Sequence, residues 1–255
     1  MNKSINIFLA LLLLCSISIV AQINTEKYRN EKDTTGFSGY IQLNISAQTG
    51  NVDLQELDPA FRLDYKTQAT HSFAIVMGEY GWKDQAAFSN QALLHIRHVQ
   101  EISFPFEWEV FGQINYDKAR LLLFRDLAGG GLRFNIFKDS RFAFWVGTSY
   151  MIEHEKYDLP PTAKHKVEQT VNRWSNYLTY SLNIKTGINF SMVIYYQPRF
   201  DLFNDFRVLN ENNLSVDLVK NLALSIGFRL YYNSRPPDTI KNTDTKTEMG
   251  FSYIF

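Results

Sequence analysis

The chain has 255 residues in which 26 Lys and Arg balance 26 Asp and Glu, and a surface without net positive charge argues against nucleic acid as a partner. Twenty Phe, fourteen Tyr and four Trp stand beside a slightly polar mean hydropathy of −0.23, which is reconciled if rings cover one face of each element and polar groups the other. The single cysteine, Cys15, falls in the first 21 residues, so no disulfide framework is expected.

Asn2 and Lys3 precede an apolar run over residues 5–14, and a stretch closing on Ile19-Val20-Ala21-Gln22 follows. That is the layout of a secretory signal peptide, with an apolar run too short to span a bilayer. Residues 1–21 are therefore expected to be a cleaved leader, 22–34 a short polar lead, and 35–255 one domain.

From residue 35 onward the hydrophobic pattern alternates with a period of two, the mark of strands. In chain order the apolar faces are Phe37, Gly39, Ile41, Leu43 and Ile45; Phe61, Leu63 and Tyr65; Phe73, Ile75 and Met77; Ala92, Leu94 and Ile96. Next come Phe106, Trp108, Val110, Ile114 and Tyr116; Ala128, Leu132, Phe134 and Ile136; Phe142, Phe144, Val146 and Tyr150. Then follow Trp174, Leu178, Tyr180 and Leu182; Ile188, Phe190, Met192, Ile194 and Tyr196; Leu214, Val216 and Leu218; and Leu222 through to Tyr232 in steps of two. The last is Met249, Phe251, Tyr253 and Phe255. Short connections (66–72, 100–103, 138–140, 185–187, 220–221) alternate strictly with long ones (48–60, 82–90, 117–123, 154–168, 198–205, 233–243). Tight turns at one end and larger loops at the other, with both termini at the turn end, describe a bacterial transmembrane barrel with an even strand number.

A soluble sandwich or lipocalin-like barrel also alternates, but points its apolar face inward. Here the opposite face carries mid-strand charges: Arg62, Asp64, Glu107, Glu109, Arg133, Arg173, Arg229 and Glu248. Rings at both ends of the apolar faces fit the two membrane interfaces. The expected fold is all-β: a transmembrane antiparallel up-and-down β-barrel of about 12 strands.

Between His95 and Tyr157 three motifs stand out: Phe111-Gly112-Gln113, the run Phe124-Arg125-Asp126-Leu127-Ala128-Gly129-Gly130-Gly131-Leu132-Arg133, and Gly147-Thr148-Ser149-Tyr150-Met151-Ile152-Glu153. On these residues the chain resembles the family of salt-induced outer-membrane proteins catalogued as domain of unknown function 481. The resemblance implies an outer-membrane barrel and supplies no reaction or substrate. The terminal stripe of Met249, Phe251, Tyr253 and Phe255 resembles the signal read by the barrel assembly machinery. That machinery and outer-membrane lipid are the expected partners of a monomer.

Charges inside a barrel must be paired or solvated. Equal offsets about Arg120 put Glu107 opposite Arg133, offsets about Asp139 put Arg125 opposite Glu153, and the loop at Pro236-Pro237-Asp238 brings Arg229 towards Glu248. With Phe111, Trp145, Tyr177, Tyr195 and Tyr231 facing the same way, the lumen is expected to be largely filled. Gly129-Gly130-Gly131 lacks the Lys-Ser/Thr of a phosphate loop and suits curvature or a ring packed against backbone. His71, His95, His98, His154 and His165 show no spacing to a nucleophile, and the loop from Glu153 to Glu168 matches no metal pattern. No catalytic residue, metal or cofactor is expected. The function read from sequence is a non-enzymatic envelope barrel with a stress or osmotic role. The alternatives are a small-solute diffusion channel and an outer-leaflet lipid hydrolase.

Overall fold

A computed structural model describes residues 35–48, 54–83 and 86–255; the expected leader and polar lead lie outside the described residues. Twelve strands follow in order: β1 (Gly36–Gln48), β2 (Leu54–Lys66), β3 (Thr70–Lys83), β4 (Ala86–Ser103), β5 (Phe106–Asp117), β6 (Leu122–Lys138), β7 (Phe142–Tyr157), β8 (Glu168–Lys185), β9 (Ile188–Pro198), β10 (Phe206–Val219), β11 (Leu222–Asn233) and β12 (Thr243–Ile254). Each pairs antiparallel with the next, and β1 closes on β12. Closure leaves every strand two neighbours, so no strand presents a whole edge to lipid. No helix among the described residues is long and apolar enough to cross a membrane.

The alternation in sequence becomes two surfaces. Outward side chains are apolar and exposed, with rings concentrated at two heights. Phe37, Tyr65, Phe106, Trp108, Tyr253 and Phe255 lie near the turn end, and Trp82, Phe88, Tyr150, Trp174, Tyr196 and Phe200 near the loop end. Inward side chains are mostly polar and buried. Two of the tight turns end on residues with positive φ, Gly187 (φ 77°) and Asn221 (φ 69°), each beside a register shift in its ladder, as a turn closed by a bulge with a left-handed residue requires.

Four expectations need correction. The long connections at 48–60 and 82–90 shrink, because β1 and β2 run to Gln48 and from Leu54, and β3 and β4 to Lys83 and from Ala86. The long–short rhythm is therefore not strict; the larger loops are 158–167, 199–205 and 234–242. Likewise 117–123 holds only a single 3-10 turn, Lys118–Arg120, between β5 and β6. The Phe73, Ile75 and Met77 face of β3 points into the lumen, not to lipid, where Phe73 and Ile75 form an apolar patch with Leu93. The Arg62 guanidinium lies 4.0 Å over the Phe73 ring, which explains why a ring is tolerated among the lumen charges. Finally, β10 begins at Phe206, eight residues before its apolar face suggested.

The loops at the wide rim are tied together. The His165 backbone N–H donates to Asp238 Oδ2 at 2.7 Å, and this bond holds the Asp238 carboxyl below the usual carboxylate range. A depressed folded-state pKa means the tie is fully present above the unfolded-state value and is lost as pH falls through the folded one. Proteolysis within 158–167 is accordingly expected to accelerate as pH drops through that window, and Asp238→Ala is expected to abolish the pH dependence.

Candidate functional site

The candidate site is the lumen, built by one side chain in two from every strand. Nine cationic and nine anionic residues are buried among those described, so the interior balances its own charge. Each excess charge would cost several kcal/mol if left unpaired in so dry a place.

Two clusters cross the interior. In the first, Glu109 on β5 accepts from Arg97 Nη1 on β4 (3.3 Å), Ser149 Oγ on β7 (3.0 Å) and Tyr177 Oη on β8 (2.8 Å). The Arg97 guanidinium also stacks over the rings of Phe111 and Tyr177. In the second, Glu153 on β7 accepts from Arg125 Nε on β6 (2.8 Å), Arg173 Nε on β8 (3.1 Å) and Arg207 Nη1 on β10 (2.8 Å to each oxygen). Arg207 Nη2 continues to Glu155 (2.7 Å) and Arg173 Nη2 to Asp205 (3.2 Å). β7 and β10 are three strands apart, so these bonds span the lumen instead of running along its wall.

Smaller groups complete the lining. Arg62 and His71 hold Asp64, and Lys246 on β12 bonds Asp58 (2.9 Å) and Glu79 (2.6 Å). Arg120 Nη2 reaches from the β5–β6 turn to Asp244 on β12 (2.9 Å), strands on opposite sides of the barrel. The inward rings Trp145, Tyr177, Tyr195 and Tyr231 are buried.

The register places the sequence-derived pairs as follows. Glu107 lies opposite Arg133, with Arg133 Nε 3.0 Å from Glu107 Oε2. Arg125 stands opposite Glu155, not Glu153, because the β6–β7 turn centres beyond Asp139, with Lys138 opposite Ala143. The slip of two residues preserves the inward face, so Arg125 still reaches Glu153 diagonally. Arg229 stands opposite Lys246 while Glu248 faces Gly227, and Arg229 Nε donates to Glu211 on β10. Glu248 is half-buried and lines a lumen cavity with Arg229. Met249, Phe251, Tyr253 and Phe255 point outward and are exposed.

Several lumen residues were not singled out in sequence: Glu79, Arg97, Glu155, Arg207, Glu211, Asp244 and Lys246. Arg97 had a signal, since it shares parity with inward His95. The others lie where strands extend past their apolar faces.

The Gly129 backbone lies under the Phe111 ring, and a Cβ there would stand 2.5 Å from that ring and 2.7 Å from the Tyr150 carbonyl oxygen. Gly129→Leu is therefore expected to cost about 1–3 kcal/mol by overpacking, measured by urea unfolding in vesicles; Gly112→Ala, in ordinary contact distance, serves as the mild control.

One nucleophile–base contact does exist. Ser72 Oγ lies 2.7 Å from His98 Nδ1, opposite each other on β3 and β4, with the Trp108 ring beside His98. Both face outward near the turn end. No carboxylate among the described residues orients His98, and the backbone N–H groups around the pair belong to the ladder, so nothing is placed to stabilise an oxyanion. His154 bonds Asp126 and Glu168 while His165 faces Tyr157 and Lys166. Among the described residues no group of three His, Cys, Asp or Glu is arranged to hold a metal.

A closed antiparallel barrel with an apolar belt and a polar lumen defines a transmembrane up-and-down β-barrel. The chain belongs to the family described as protein of unknown function, DUF481, whose model matches residues 41–255. No curated protein sequence matches it. Among solved structures it resembles the NanC porin, at 8% identity and a TM-score of 0.52, over 85% of this chain and 98% of that one. It also matches the translocator domain of autotransporter NalP from Neisseria meningitidis, at 8% identity and a TM-score of 0.47, over 88% of this chain and 90% of that one. At 8% identity the likeness to the NanC porin is one of fold.

Proposed function

We propose that this protein is a non-enzymatic outer-membrane barrel whose own side chains plug its lumen, a structural element of the envelope and not a diffusion channel. One observation supports this reading above the rest. The lining is nearly sealed from water, with Arg62 and Glu153 0% exposed and Glu109, Arg133 and Arg173 1% exposed. A water-filled pore would expose the side chains that line it. The balance of nine positive against nine negative buried groups points the same way, because a selecting constriction works through an uncompensated ring of one sign.

In this reading the turn end faces the periplasm, the terminal stripe addresses the assembly machinery, and the barrel inserts as a monomer. A barrel that adds no leak would suit a role under osmotic stress. Swelling of proteoliposomes in small sugars and amino acids tests it. Rates equal to protein-free vesicles are expected, whereas swelling that falls with solute size would favour the diffusion-channel reading.

A further inference from the structure

The seam that closes the barrel is paired over a short length. β1 and β12 face each other from Tyr40 opposite Ile254 to Leu43 opposite Phe251, and Gly39 and Phe255 exchange both backbone hydrogen bonds below them (3.0 and 2.9 Å). Beyond that point β1 continues to Gln48 alongside β2, and β12 comes down from Thr243 alongside β11. Among the described residues no ladder joins 44–48 to 243–250. The other pairs run nearly the whole length of their shorter strand, as from Arg207 opposite Asn233 to Val219 opposite Leu222.

This unpaired stretch begins within the apolar belt, since outward Ile45 and Met249 are 68% and 65% exposed. Open sheet edges are tolerated at membrane depth only where they are buried or line a wet cavity. A cavity of about 40 Å³ lies on the lumen side, lined by Gln42, Asn44, Asp58, Glu79, Lys246 and Glu248 among others. That volume has room for about three waters.

Side chains, not backbone, bridge the seam at this level. Lys246 Nζ reaches from β12 past β1 to Asp58 Oδ2 on β2 and Glu79 Oε2 on β3, and Ser89 Oγ donates to the other Glu79 oxygen at 2.7 Å. The absence of a side chain at Gly250 leaves space for the Asn44 amide, which accepts from Gln42 Nε2 at 3.0 Å. Two buried acceptors at the cavity, Gln42 Oε1 and Asp58 Oδ1, have no hydrogen-bond partner.

We propose that the loop half of the β1–β12 seam is a lateral portal between the lumen cavity and surrounding lipid, latched by Lys246 on Asp58 and Glu79. It admits the head group of an amphiphile whose chain stays in lipid. The head carries N–H or O–H donors, because the cavity offers unpaired acceptors and three carboxylates against two cations. A phosphate-only or carboxylate head brings acceptors where acceptors already stand. The portal rests on strand register and holds whether or not the lumen conducts.

Two cysteine pairs in the exported chain, reconstituted in phosphatidylcholine vesicles, read the seam. Ile41→Cys with Tyr253→Cys joins facing outward positions, and Ile45→Cys with Met249→Cys carries the same register four residues towards the loops. The first pair is expected to close under oxidant about tenfold faster than the second, since only facing positions meet disulfide geometry. Equal rates overturn the portal.

Deuterium exchange on the unmutated protein repeats the test without variants. Residues 243–250 are expected to exchange about tenfold faster than 222–233, and equal protection overturns the proposal. Lys246→Met, or Glu79→Gln should that variant not fold, is expected to speed exchange at 243–250 alone; no change removes the latch. Adding phosphatidylethanolamine, whose ammonium is the donor probe, is expected to slow exchange there about twofold, a tightening drawn from ligand linkage. Phosphatidylglycerol tests hydroxyl donors in the same way, and no slowing by either lipid overturns the head-group assignment.

Discussion

Glu153→Gln is expected to lower the unfolding free energy by about 3–5 kcal/mol, the usual cost of removing one partner from a buried ion cluster. The carboxylate accepts from three arginines on three different strands, and all four side chains are buried. Glutamine keeps the shape but removes the charge, leaving Arg125, Arg173 and Arg207 to repel one another with Glu155 and Asp205 as the remaining anions. Urea unfolding in vesicles, read by heat-modifiable migration, measures the loss. Replacing Arg207 with Met in the same chain is expected to recover part of it, because neighbours in one network are not additive. A loss below about 1 kcal/mol would mean that the guanidinium groups are solvated as exposed ones are, and so that water fills the lumen.

The second large effect is on conductance. The Glu109 and Glu153 clusters block the lumen in series, one built on Arg97 and Tyr177 and the other on Arg173 and Arg207. Opening one constriction leaves the other to dominate the resistance. Tyr177→Ala alone and Arg207→Ala alone are therefore expected to give no steady current in planar bilayers, while the double variant conducts steadily. Tyr177→Phe in place of Tyr177→Ala keeps the ring and is expected to keep the double variant closed. If Tyr177→Ala alone conducts as well as the double variant, the Glu153 cluster is not a barrier.

Much of the barrel was legible because a lipid-facing strand is a one-bit pattern. Met249, Phe251, Tyr253 and Phe255 announce it, and the same parity places Trp145 and Tyr177 inward. The reading failed where that bit is masked. Asn210 and Asn212 sit on the outward face of β10, satisfied by a mutual bond of 2.7 Å, and so hid the first half of that strand. Phe73 and Ile75 are apolar yet inward, which inverted β3. Register was readable only where the turn centre was placed correctly: Glu107 and Arg133 stand opposite as the offsets about Arg120 required, whereas the β6–β7 turn centres beyond Asp139 and puts Arg125 opposite Glu155. Contacts such as Ser72 with His98, or Lys246 with Glu79, depend on closure and on register between strands, and no local pattern carries that information.

The plugged lumen is tested most directly by single-channel recording of the unmodified protein in planar bilayers. Insertion, verified by heat-modifiable migration, is expected to add no steady open level at any moderate voltage. A sustained open current of nanosiemens scale would contradict the filled barrel and make the protein a channel.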